Sequence, residues 1–245
     1  MIEITLYIFI FFLTLLQSLI GVGVLMIGTP LLLIFNFDII STISILLPIS
    51  ISTSLINLIY FYFYKKKIHN LKIDKDIKKN FFLFCIPFIF VGTLILKYFN
   101  QYINFNYLVS AVIVFTVLLS GSSQFLDKIK NKSLGKFFLS TTGVVHGLTN
   151  SGGSLISIFI SLSNNKNLSR YSITFFYFFL ASFQFFIFIL FFKDIFYTNN
   201  YYYVIFALPF AIYLANIVEN KLKEIFFKRL IKALALISSI ILVLT

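Results

Sequence analysis

Apolar residues in this chain fall in long uncharged runs rather than alternating with polar ones. The runs lie at about 4–36, 38–64, 81–98, 104–122, 136–163, 171–192, 200–218 and 229–245. About 20 apolar helical residues cross a hydrocarbon core ~30 Å thick, so most runs predict one transmembrane helix each. Two runs, 4–36 and 136–163, are too long for one pass and carry glycines in their middle. The breaks fall at Gly21–Val22–Gly23 and at Asn150–Ser151–Gly152–Gly153. The arms of the second run are about 14 and 10 residues, or ~21 and ~15 Å of helix, too short to span. Each broken run therefore predicts a re-entrant hairpin that turns near the midplane. Irregular backbone is tolerated at that depth only when buried in protein or lining a wet cavity.

Charge orients the runs. The stretch 65–80, KKKIHNLKIDKDIKKN, holds seven lysines and is placed in the cytoplasm by the positive-inside rule. Counting passes from there puts 99–103 and 193–199 outside, and 123–135, 165–170 and 219–228 inside. Eighteen of the twenty basic residues then lie inside, with Lys97 and Lys193 outside. The first hairpin enters from outside, and both termini are outside. Each half is one hairpin plus three spans, an odd number of crossings, so the halves (1–125 and 126–245) are inverted relative to each other within one membrane domain. Ile86–Pro87–Phe88 parallels Leu208–Pro209–Phe210, and Gln17 through Gly23 aligns with His146 through Gly152.

Composition agrees. The chain is 60% hydrophobic and 11% charged, against about 25% charged in a soluble domain. The net charge of +12 is read as cytoplasmic topology signals, not as a nucleic-acid surface. One cysteine, Cys85, leaves no intramolecular disulfide and no Cys cluster. The N-terminal MIEITLYIFIFF lacks a basic leader and cleavage site, so no removable signal peptide is expected. There is no HExxH, no P-loop and no nucleophile–base spacing, so neither an enzyme nor a cofactor or metal is expected.

The candidate chemistry sits at the breaks. The arm after each break starts with N–H groups that lack intrahelical acceptors, at the positive end of a helix dipole, which favours an anion. In the second half Asn150, Ser151, Gly152, Gly153 and Ser154 crowd there. In the first half Gly21 and Gly23 do, with Gln17 nearby. The competing reading is close helix packing through small residues. His146, four residues before Asn150, shares its helix face and is either a proton-responsive cation or a hydrogen-bonded helix residue. Asn57 and Gln184 lie in corresponding spans and could wall one cavity. Arg170, just before its span, either draws in an anion or only anchors topology. No Asp or Glu lies deep in a predicted span; Glu3, Asp38 and Asp194 sit at outer edges.

QSLIGVGVLMIGTPLL near the N-terminus and GVVHGLTNSGGSLISIFIS in the second half resemble the sulfite exporter TauE/SafE family of membrane permeases. Gly21, Gly23 and Pro30–Leu31 match its glycine break followed by Pro-Leu. Gly143, Gly147, Gly152 and Gly153 match its G-x-x-x-G and Gly-Gly elements, and Arg170 fits a basic residue before the next span. Val24 and Ser154 depart from the pattern, where glycine and proline are common. The resemblance implies a permease of the bacterial cytoplasmic membrane that carries a small sulfur-containing or organic anion by alternating access. The expected partners are that anion and the lipid bilayer, not nucleic acid, with oligomeric state open, a homodimer included. The alternative is a membrane scaffold or assembly factor that transports nothing. The expected fold is an all-α polytopic membrane protein of two inverted repeats.

Overall fold

A computed structural model describes residues 2–65, 71–120, 132–163, 165–193 and 208–221, with single positions between 223 and 240. Every regular element among them is helical. In order they are α1 (Ile2–Ile20), α2 (Val24–Ile34), α3 (Ile39–Tyr60), α4 (Lys75–Phe84), α5 (Ile86–Phe99), α6 (Phe105–Ser120), α7 (Lys132–Thr149), α8 (Gly153–Ser163), α9 (Lys166–Phe191) and α10 (Leu208–Lys221). Most of the last predicted span, 229–245, the inside loop 123–135 up to Asn131, the boundary between the halves, and most of the outside loop 193–199 lie outside the described residues.

Three helical stretches among those described are long and apolar enough to cross a membrane: Ile39–Tyr64, Lys75–Tyr102 and Lys166–Phe191. The first gains its last turn as a π-helix, Phe61–Lys65. The second is α4 and α5 joined at Cys85. Pro87, in the first turn of α5, lacks the N–H that would bond Leu83, which explains the interruption. The helix starts at Lys75, inside the predicted cytoplasmic loop, because the Asp74 side chain accepts from Asp76 N–H and Ile77 N–H, a strong N-cap. Asn165 likewise starts α9 early, accepting from Leu168 N–H at 2.9 Å. Arg170 is therefore in the second turn of its helix rather than ahead of it.

The two long runs are broken where the glycines predict. Their arms are unequal: 19 and 11 residues in α1 and α2, 18 and 11 in α7 and α8. The first arm of the second pair is longer than its apolar part because α7 begins at Lys132. The short arms, at 1.5 Å per residue, reach only about 16 Å. Asn36 closes α2 in the left-handed region (φ 61). Its N–H bonds Leu33 O, and Phe37 N–H bonds Leu32 O, each at 3.0 Å. This is the double bond of a Schellman end, with Asn in the role usually given to Gly.

Packing runs between the halves as well as within them. α3 lies on α9, α1 on α10, and α5 on α7. The α5–α7 crossing is backbone against backbone. A Cβ on Gly143 would stand 2.2 Å from Cys85 O, one on Gly147 2.2 Å from Ile89 O, and one on Gly92 2.1 Å from Val144 O. Gly143 and Gly147, the G-x-x-x-G pair, thus let two membrane helices touch. Cys85 is buried and unpaired there.

Candidate functional site

The second break is built from α7's C-terminus. Asn150 takes the left-handed conformation (φ 62), which Asn tolerates better than most residues because its short side chain can bond locally. Its N–H donates to His146 O at 2.8 Å. Gly152 then folds back so closely that a Cβ there would stand 2.5 Å from Thr142 O and 2.6 Å from His146 N. Gly153, the first residue of α8, lies under the Tyr177 ring, where a Cβ would meet Cζ at 2.4 Å. Hydroxyls stitch the turn: Ser151 Oγ donates to Thr149 O at 3.2 Å, and Ser154 Oγ to Ser151 O at 2.8 Å. Those protons are committed to the loop itself. Ser154 N–H and Leu155 N–H are committed as well, to Ser151 O at 3.0 Å and Gly152 O at 3.1 Å, so what the start of α8 still offers an anion is the N–H groups of Gly152 and Gly153.

The first break repeats the device. Gly21 is left-handed (φ 88), and its N–H donates to Gln17 O at 2.7 Å. A Cβ on Gly23 would stand 2.9 Å from Leu13 O and 2.6 Å from Gln17 N. Gly21, Gly23, Leu13 and Gln17 correspond to Asn150, Gly152, Thr142 and His146 at one constant offset along the chain. The filling differs. Gln17 Oε1 accepts from Val24 N–H at 3.2 Å, so the start of α2 is already capped by a protein amide. Gln17 Nε2 donates to Ser50 O at 3.0 Å and Ser54 Oγ at 2.9 Å. Asn57 Nδ2 donates to Ser18 Oγ at 3.0 Å.

Arg170 also serves the first break. Its guanidinium is 1% exposed. Nε donates to Ser18 O at 2.7 Å, Nη2 donates to the same oxygen and to Asn216 Oδ1 at 2.8 Å, and the Phe61 ring lies 5.0 Å away. Ser18 O belongs to the last turn of α1, so the cation sits at a helix C-terminus, where the dipole favours it. Nη1 lies 3.1 Å from Glu219 Oε2, and Lys166 Nζ 3.1 Å from Glu219 Oε1. Glu219, counted by hydropathy in a basic loop, is inside α10 and 1% exposed. A carboxylate is therefore buried after all. No run pattern could reveal it, because Arg170 and Lys166 reach it from α9, far along the chain.

Both breaks lie along α9. Gly21 faces Ile173 and Arg170 O, and Gly153 faces Tyr177, about one helical turn further. Asn150 Nδ2 reaches back to Thr29 Oγ1 of α2 at 3.5 Å. Two turns beyond Tyr177, Gln184 Nε2 donates to His146 O at 3.1 Å and Gly147 O at 3.4 Å, capping the end of α7. Sequence reading set Gln184 beside Asn57, but Gln184 lies with His146, Asn150, Gly152 and Gly153, while Asn57 bonds Ser18 of the first break. Nor did sequence reading find Tyr177, hidden in a phenylalanine run, or Thr29. Gln17, Gly21, Gly23, Asn57 and Arg170 form the neighbouring cluster. Among the described residues, Asn150 Oδ1, Gln184 Oε1 and both His146 ring nitrogens at the second break, and Asn57 Oδ1 at the first, are buried without a hydrogen-bond partner. Orphans of this kind are rare in folded proteins. No group of three or more His, Cys, Asp or Glu that could hold a metal occurs among the described residues.

The family model described as Sulfite exporter TauE/SafE matches residues 6–242. No curated protein and no solved structure gives a match to the chain.

Proposed function

The chain belongs to the sulfite exporter TauE/SafE family, a family of membrane transporters, and from that premise we propose that it is a permease for a small anion bound at the second break. The carrying observation is the asymmetry of two otherwise matching breaks. At the first, Gln17 caps the start of α2 and Arg170 caps the end of α1. At the second, the start of α8 lies beside buried side chains that have no partner among the described residues. With Ser154 N–H and Leu155 N–H bonded inside the turn, Gly152 N–H and Gly153 N–H remain at the positive end of the dipole, kept from water, a setting in which an anion is held. Sulfite or a short sulfonate is the substrate class that the family premise favours.

In this reading each broken pair is a re-entrant hairpin whose short arm begins near the midplane, and the two halves are inverted repeats. The constant offset between the two breaks supports the repeat. So does the exchange of partners, with α1 on α10 and α7 on α5. Substrate contacts come from Asn150, Gly152 and Gly153, with His146 and Gln184 as walls. Ser151 and Ser154 shape the turn. Gln17, Gly21, Gly23, Asn57 and Arg170 hold the first break beside it. Alternating access rocks one half against the other around that point, in a cytoplasmic membrane with both termini outside.

Anion flux into proteoliposomes tests the site. Gly152→Leu places a side chain where even a Cβ meets Thr142 O at 2.5 Å and is expected to abolish sulfite and sulfonate flux. Transport at the parent's rate by the reconstituted variant would remove the second break from the pathway.

A further inference from the structure

The unpartnered atoms at the second break differ in kind, and the difference bears on what the site accepts. The N–H groups that open α8 can only donate. The orphan oxygens of Asn150 and Gln184 can only accept, and an imidazole offers a donor and an acceptor when neutral. Gln184's orientation is set by its surroundings. Its Nε2 faces two backbone carbonyls, His146 O and Gly147 O, and turning the amide over would place oxygen against oxygen. Asn150's amide nitrogen is turned toward Thr29 Oγ1, which leaves Oδ1 without a partner. Both residues are fully buried, with 0% exposure. Asn150 and His146 share one face of α7. Gln184 approaches α7 over the carbonyls of that same turn.

A bare, fully deprotonated anion answers the α8 N–H groups but leaves both amide oxygens facing acceptor atoms. We propose that the site reads a hydrogen-bond donor on its anion. Its ligand carries an O–H or N–H beside the negative charge, as a monoprotonated oxyanion or a hydroxyl- or ammonium-bearing sulfonate does. Asn150 Oδ1 and Gln184 Oε1 receive that donor while the α8 N-terminus holds the charged oxygens. The two amides are specificity-determining residues. Sites that hydrogen-bond a ligand's polar group reject the analogue lacking it, because the site's own buried groups are then left unpaired.

This inference rests on the anion reading above, and the test separates them. Titration calorimetry on the purified full chain in detergent compares ethanesulfonate with 2-hydroxyethanesulfonate, which differ by one hydroxyl. The hydroxylated ligand is expected to bind about tenfold more tightly, the size of one good hydrogen bond. Asn150→Gly deletes the amide while glycine keeps the left-handed backbone, and Gln184→Met deletes the second oxygen. Each is expected to cut the preference to about threefold or less. Should Gln184→Met not fold, Asn150→Gly decides. Equal binding of both sulfonates by the parent overturns the inference and leaves the anion reading standing. A preference that survives both substitutions also overturns it, since the donor is then read elsewhere. If neither sulfonate nor sulfite binds, the anion reading itself falls and the inference with it.

Discussion

Replacing Glu219 with alanine removes a carboxylate that lies 3.1 Å from both Arg170 Nη1 and Lys166 Nζ. The two cations respond differently. Lys166 is 16% exposed and can turn toward solvent. Arg170 is 1% exposed, tied to Ser18 O and Asn216, and cannot. Leaving a buried charge without its partner costs about 3–5 kcal/mol. The Ser18 and Asn216 bonds and the Phe61 ring remain, so the lower end, about 3 kcal/mol, is the better figure. At roughly 2–4 °C per kcal/mol for a chain of this size, the unfolding midpoint is expected to fall by about 6–12 °C. Arg170→Met is expected to cost about 2 kcal/mol, mainly through Ser18 O and Asn216 left unsatisfied. The double variant, Arg170→Met with Glu219→Ala, leaves no isolated buried charge, so its cost is expected to fall short of the sum of the singles by at least ~1 kcal/mol. The assay is thermal unfolding in detergent with a thiol-reactive dye. Cys85, the single cysteine of the chain, is buried and reports loss of structure. Single-variant shifts below 3 °C, or strict additivity in the double variant, would refute a coupled buried pair.

Two other outcomes are open to measurement. Gly147→Val puts a branched side chain where a Cβ would lie 2.2 Å from Ile89 O, so α5 and α7 must separate. Overpacking of this sort costs about 1–3 kcal/mol or more, visible as a lowered midpoint in the same dye assay, and an unchanged midpoint would mean the crossing is not tight. A cysteine at exposed Gln101 is expected to label with a membrane-impermeant maleimide from outside intact cells, and one at Lys75 only after permeabilisation; the reverse pattern would invert the proposed orientation.

Helix positions were largely legible because burial in lipid obliges the backbone to bond to itself, and long apolar runs are the direct record of that demand. The breaks at Gly21–Gly23 and Asn150–Gly153 were legible too, since only small or locally bonding residues accept a left-handed turn. Helix starts were read less well. Asp74 and Asn165 are caps, but hydropathy treats them as loop, so α4 and α9 begin earlier than the apolar runs. The roles of individual polar residues were least legible. Arg170 reads as a topology anchor, or less readily as an anion ligand, until Ser18, Asn216 and Glu219 surround it. Gly143 and Gly147 read as part of a glycine-rich break until α5 lies across them.

What the sequence by itself determined is the class of molecule: an all-helical membrane chain with two glycine-broken runs. These are properties of each segment's own exchange between water and lipid, so each segment carries its own evidence. Which break is filled and which is left open was decided only by tertiary structure. Gln17 and His146 occupy matching places, yet one carboxamide closes on Val24 N–H and Ser54, while the imidazole finds no partner among the described residues. That difference depends on what α3, α9 and α10 bring to each turn from far along the chain, and hydrogen-bond satisfaction is a property of the gathered atoms rather than of any one stretch.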